Sequence, residues 1–165
     1  MVVILMGVSG SGKTAVGEIL ARDLGCAWFD GDDYHPAANV EKMRAGTPLT
    51  DTDRWPWLDR LNELMHAEDA KGASAVLGCS ALKQVYRERL ARGLSAVRWV
   101  HLKGSFDLIM SRLQARKHRY MPASLLQSQF DTLEEPRDAL TIDITEPPEL
   151  LAARIRASLG LAGGS

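Results

Sequence analysis

The sequence predicts an α/β fold in which a five-stranded parallel sheet is covered by helices on both faces. Three observations carry that reading. An apolar run at residues 2–6 suits a buried strand, and the segments 27–29, 75–77, 97–102 and 140–144 fit four further strands. Segments with helical periodicity alternate with them, the order that builds a parallel sheet. Between the first strand and the first helix, residues 7–14 read Gly-Val-Ser-Gly-Ser-Gly-Lys-Thr. This is the form G-x-x-x-x-G-K-[ST], in the strand–loop–helix context that the motif needs.

The elements follow in order. Val2 to Met6 form an unbroken apolar strand. Val16, Ile19, Leu20 and Leu24 recur at helical spacing until Gly25, a helix stop. The second strand runs into Asp30, Gly31, Asp32 and Asp33, and the third into Gly78, Cys79 and Ser80. The insertion between these two strands, about 31–74, is far longer than the dozen or so residues of a minimal parallel crossover. It predicts one helix over about 36–45, with Pro36 suited to a first helical position, and another over about 53–71. The second helix would bury Leu58, Leu61 and Met65. A helix over 82–92 precedes the fourth strand. Another opens at Ser105, an N-cap, with Phe106, Ile109, Met110 and Leu113 as its apolar face. A short helix is expected over 122–130. A last helix follows Pro147 and Pro148, before a frayed tail at 163–165. The loops at Gly7, Asp30, Gly78 and Thr145 would meet at the carboxyl edge of the sheet, where ligands bind in such folds.

Composition narrows the function. The 165 residues suit a single domain, and a formal net charge of −1 gives no general attraction for nucleic acid or an anionic membrane. No apolar run is long enough to span a bilayer, and no export signal opens the chain. Cys26 and Cys79 read as small buried residues of a reduced, cytoplasmic protein.

The loop residues define the chemistry. Gly7, Ser9, Gly10, Ser11 and Gly12 would turn backbone N–H groups around phosphate oxygens, and the helix that follows adds its positive end. Lys13 would reach the β- and γ-phosphates, and the Thr14 hydroxyl would sit on Mg²⁺. The protein is therefore expected to bind a nucleoside triphosphate. Asp30 and Asp32, alternating at the end of the second strand, would point to the same side. A kinase needs one carboxylate for the acceptor hydroxyl and others around Mg²⁺. No acid follows the third strand, which leaves these two as the best source, although Asp-Gly also simply makes turns. His35 taken alone reads as a loop histidine. Arg54 could hold a carboxylate by paired hydrogen bonds or lie near a helix start capped by Asp51 or Asp53. Trp57 reads as core. Lys83 would occupy a first helical turn, a poor place for a cation, which favours a functional role. Residues 108–130 contain no acid but carry Arg112, Arg116, Lys117, His118 and Arg119. Arg112, Arg116 and Arg119 share one face if the segment is helical, as in a lid that closes on the transferring phosphoryl group.

Taken together these residues resemble the gluconokinase family of small kinases with a phosphate-binding loop. The resemblance covers nearly the whole chain. It runs through residues 6–13, Asp30-Gly31-Asp32 with His35-Pro36, Asn39 with Lys42-Met43, and Pro48-Leu49-Thr50-Asp51 with Asp53-Arg54. It continues through Pro56-Trp57-Leu58, Cys79-Ser80-Ala81-Leu82-Lys83 with Tyr86-Arg87, Ser128-Gln129-Phe130 and Thr132-Leu133-Glu134. It implies ATP as donor, D-gluconate as acceptor at its 6-hydroxyl, Mg²⁺, and a three-layer fold like that of nucleoside-monophosphate and shikimate kinases, with a lid at about 116–133. It further implies Asp32 as general base and Asp30 as a water-mediated Mg²⁺ contact. His35, Arg54 and Lys83 become acceptor or phosphate ligands, Arg112 and Arg116 lid arginines, and Thr145-Glu146-Pro147 a neighbour of adenine. A homodimer is expected by the same likeness. Where the family often has Gly-His-Phe, this chain reads His118-Arg119-Tyr120. The readings set against this one are a kinase for another small hydroxy acid such as shikimate, or for a nucleotide, and a nucleotide-binding switch. The absence of an N-K-x-D base-reading motif counts against a GTPase.

Overall fold

The computed structural model describes residues 1–116 and 122–161. The expected tail at 163–165, and His118 and Arg119 of the expected lid, lie outside them. Five parallel strands, β1 (Val2–Met6), β2 (Ala27–Asp30), β3 (Ala75–Gly78), β4 (Val97–Lys103) and β5 (Leu140–Asp143), stand in the order β2-β3-β1-β4-β5. The helices are α1 (Lys13–Leu24), α2 (Ala37–Arg44), α3 (Asp51–Ala70), α4 (Gln84–Ala91), α5 (Phe106–Gln114), α6 (Ala123–Thr132) and α7 (Pro148–Leu159).

The central strand β1 shows why the fold has three layers. Successive strand residues face opposite sides. Val3 and Leu5 pack into one core with Val16, Leu20, Ile109, Leu126 and Ile155. Val2, Ile4 and Met6 pack into a second core with Trp57, Leu58, Leu61, Met65 and Leu90. A strand buried on both faces cannot alternate apolar with polar, which is why residues 2–6 read as one apolar run. The face expected of the long insertion helix, Leu58, Leu61 and Met65, is fully buried.

Helix ends match local chemistry with some corrections. Gly25 closes α1 in the left-handed conformation at φ 68°, and Ser105 caps α5 by accepting from the Leu108 N–H at 3.1 Å. The N-cap of α3 is Thr50, one residue before Asp51 and three before Asp53, the two caps expected there. Its hydroxyl accepts from the Asp53 N–H, and Asp53 Oδ2 accepts from the Thr50 N–H, a reciprocal capping box. Gly17 on α1 owes its identity to a close approach: a Cβ there would stand 2.1 Å from the Trp28 ring, which also presses on Gly78. Cys79 is buried, and burial pushes its thiol up to about 12. Cys26, in the turn between α1 and β2, is only half-buried.

Candidate active site

The phosphate loop leaves β1 and enters α1 across the carboxyl edge of the sheet. Gly7 must be glycine: its φ is 151°, and a Cβ would stand 2.8 Å from both the Leu102 carbonyl oxygen and Ser11 Oγ. No side chain caps α1, whose first residue is Lys13, so its first-turn N–H groups suit an anion. The Ser11 hydroxyl is buried with no hydrogen-bond partner among the described residues, a further polar group that phosphate oxygens would satisfy. Lys13 folds back over the loop, and Nζ donates to the carbonyl oxygens of Gly7 and Val8 at 2.9 Å each.

Two clefts open on either side of this loop. The larger, about 480 Å³, is lined by Ser9, Lys13, Asp32, His35, Arg54 and Trp57, with α6 and the 45–49 turn closing its far wall. The smaller, about 330 Å³, is lined by Gly10, Ser11, Gly12, Arg112, Arg116 and the 145–148 loop. Ser9 and Lys13 thus face one cleft, and the three residues between them, Gly10, Ser11 and Gly12, face the other.

Asp30 and Asp32 are separated by a change of backbone. The strand ends at Asp30, and Gly31–Tyr34 form a 3-10 turn, so strand alternation does not relate the two carboxylates. Asp30 organises this turn, since Oδ1 accepts from the Asp32 N–H at 3.0 Å. Its Oδ2 accepts from the Thr14 hydroxyl at 3.3 Å. That hydroxyl–carboxylate pair is a hard oxygen set that fits an Mg²⁺ ion retaining several waters and binding triphosphate oxygens. Among the described residues no group of three or more His, Cys, Asp or Glu is placed to hold a metal.

The pocket wall is tied together by contacts between distant parts of the chain. His35 stacks on Trp57, with ring centroids 4.0 Å apart, and Trp57 Nε1 donates to the Gly31 carbonyl at 2.7 Å. Trp57 is therefore both core and pocket floor. Burial, helped by the nearby Arg54 guanidinium, lowers the His35 pKa to about 4, so the ring is neutral at physiological pH. Arg54 donates to the Leu49 carbonyl and, at 3.1 Å, to the Tyr86 hydroxyl. The Tyr86 hydroxyl in turn donates to Asp51. Lys83 does not line the larger cleft. It is the N-cap residue of α4, just before the expected first turn, and Nζ donates to Asp51 at 3.1 Å. The hydrogen bond from the Tyr86 hydroxyl, and then the one from Lys83, hold the Asp51 carboxyl below the usual range.

The arginines converge by a route other than a shared helical face. α5 ends at Gln114, so Arg116 lies beyond it, yet both line the smaller cleft. Arg112 Nη2 donates to the Ile144 carbonyl at 2.6 Å, which ties α5 to the loop that enters α7. The residues whose roles the motifs did not assign are Gln129, Asn39 and Tyr86. Gln129 Oε1 accepts from the Ser9 N–H at 2.7 Å, and its Nε2 donates to Ser9 Oγ at 3.1 Å. Asn39 is 3% exposed, and its amide reaches Asp53 and His35. A polar residue within a helical stretch was the available signal, and it does not name a partner.

Fold and site define a phosphotransferase of the phosphate-loop class. The model of the AAA domain family AAA_33 matches residues 2–139. The fold alone is shared with shikimate kinase from Aquifex aeolicus, at TM-score 0.63 and 20% identity over 97% of this chain and 96% of that one. The thermoresistant gluconokinase of Escherichia coli K12 is 46% identical over 91% of this chain and 88% of its own. The crystal structure of a gluconokinase from Sinorhizobium meliloti 1021 superposes with TM-score 0.83 and 38% identity, covering 96% of this chain and 94% of its own. The chain belongs to the gluconokinase family.

Proposed function

We propose that the protein transfers the γ-phosphoryl group of ATP to the 6-hydroxyl of D-gluconate, giving 6-phosphogluconate and ADP. The observation that carries this reading is the division of the phosphate loop between two clefts, with an acid, a neutral histidine and an arginine gathered in the larger. On this reading ATP lies in the smaller cleft, along Arg112, Arg116 and the 145–147 loop. Gluconate fills the larger cleft formed by the insertion at about 31–74. Asp32 takes the proton of the 6-hydroxyl as it attacks, and Arg54 binds the anionic acceptor. Lys13 exchanges its loop carbonyls for the β- and γ-phosphates. Thr14 and, through water, Asp30 hold the metal, and Mg²⁺ supplies charge neutralisation on the phosphate oxygens. Arg116 belongs to the segment at about 116–133 that closes over the phosphates, and excluding water there directs the phosphoryl group to the hydroxyl. Lys83 acts indirectly, by holding Asp51 beside the Arg54–Tyr86 pair.

No helix among the described residues is long and apolar enough to cross a membrane, and the reading includes a cytoplasmic homodimer. The test is ADP release with gluconate, shikimate, nucleoside monophosphates and no acceptor. Turnover dependent on gluconate is expected. Equal turnover with another acceptor, or tight ATP binding with no turnover on any, would overturn the assignment.

A further inference from the structure

One wall of the larger cleft contains contacts that decide where a single proton sits. The Asn39 side chain, buried on α2, places Nδ2 2.8 Å from the carbonyl oxygen of Asp53. A carbonyl only accepts, so this contact fixes which end of the amide is the NH₂. The same Nδ2 lies 3.2 Å from Nδ1 of His35. An amide NH₂ has only hydrogens to offer, so Nδ1 is the accepting nitrogen. A neutral imidazole then carries its proton on Nε2. The ring is held in place by its stack on Trp57, which is itself pinned to the Gly31 carbonyl. Among the described residues no partner takes up Nε2, and the ring lines the same cleft as Asp32, Lys13 and Arg54.

We infer that Asn39 is a positioning residue for acceptor recognition: it holds His35 as the Nε2–H tautomer, so that the cleft presents one fixed, neutral donor to a hydroxyl oxygen of the sugar-acid chain. The inference rests on the gluconate reading above. Its logic is one of specificity. Lys13 and Arg54 already bring positive charge, which attracts any small acid. A neutral donor held by Asn39 and Trp57 adds no charge but requires an oxygen at one point. An acceptor without that oxygen leaves a half-buried N–H unpaired, which costs more than a lost surface contact.

The test has two arms. In ¹⁵N-labelled wild-type protein without substrate, long-range ¹H–¹⁵N spectra at neutral pH are expected to show His35 with a bare Nδ1 and a protonated Nε2. A protonated Nδ1 would overturn the inference. In steady-state kinetics, Asn39→Ala is expected to raise KM for gluconate about tenfold, the scale of one hydrogen bond, and to leave KM for ATP within about twofold. His35→Gln, whose amide NH₂ reaches the place of Nε2, should retain a lower gluconate KM than His35→Phe. Equal increases in both KM values for Asn39→Ala, or no difference between the two His35 variants, would contradict it. Should Asn39→Ala not fold, the spectrum and the His35 pair still decide. The spectrum needs no substrate, so a wild type inactive on gluconate would remove the functional reading while the tautomer is judged separately.

Discussion

Asp32 and His35 face the larger cleft, where the phosphoryl acceptor is proposed to bind. If Asp32 accepts the acceptor proton, Asp32→Asn keeps the shape of the site but lowers kcat by about 10²–10⁴-fold, while ATP affinity stays near wild type. Near-normal kcat would remove the general-base assignment. His35 also links the site to stability. Its pKa falls from 6.5 in the unfolded chain to about 4 in the fold. The unfolded chain therefore binds the proton more readily, and folding stability rises with pH across that window. The contribution of His35 is complete above about pH 6.5 and is lost as pH drops towards 4. Thermal melts of wild type and His35→Gln between those limits should converge at low pH and separate at neutral pH. Parallel curves would contradict the shift. The His35 effect was not legible from the residue itself. His35 in the sequence is a histidine before a proline, and only the Trp57 stack and Arg54 make it a buried, neutral ring.

At the scale of elements, the site depends on helices that are far apart in the chain but touch in space. Gln129 holds α6 against the phosphate loop by two hydrogen bonds to Ser9, across 120 positions of sequence. Gln129→Ala removes both, so amide hydrogen exchange across 123–132 should speed up with little change in α3. Unchanged protection of α6 would show that its apolar face, not the clasp, anchors it. The α1–β2 contact is set by size. At Gly17 an added methyl would improve helix propensity by about 1 kcal/mol, but it would meet the Trp28 ring at 2.1 Å. The same ring lies against Gly78, which limits where it can turn, so overpacking is expected to outweigh the propensity gain. Gly17→Ala should destabilise by about 1–3 kcal/mol in denaturant unfolding, and a neutral result would mean that the ring has room to move.

For the whole molecule, the sequence carried the architecture further than it carried the pocket. The five strands and the sheet edge where their loops meet follow from local signals: apolar runs, glycine stops, an N-cap serine and the phosphate-loop motif. Those signals act over a few residues, so one chain displays them. The pocket is built from pairings such as Arg54 with Tyr86, Asn39 with Asp53, and Gln129 with Ser9, and no periodicity encodes those. The same limit explains the misplacements. Lys83 showed its local conflict but not its partner Asp51, and Arg116 was assigned to a helical face that ends at Gln114. What the whole molecule adds is the two-cleft arrangement, and that arrangement makes the central claim testable on the product. Wild-type protein, ATP, Mg²⁺ and ¹³C-labelled D-gluconate should yield a single phosphorylated sugar acid whose phosphorus couples to C6. Phosphorus at another carbon, or ATP consumption at the same rate without gluconate, would contradict the account.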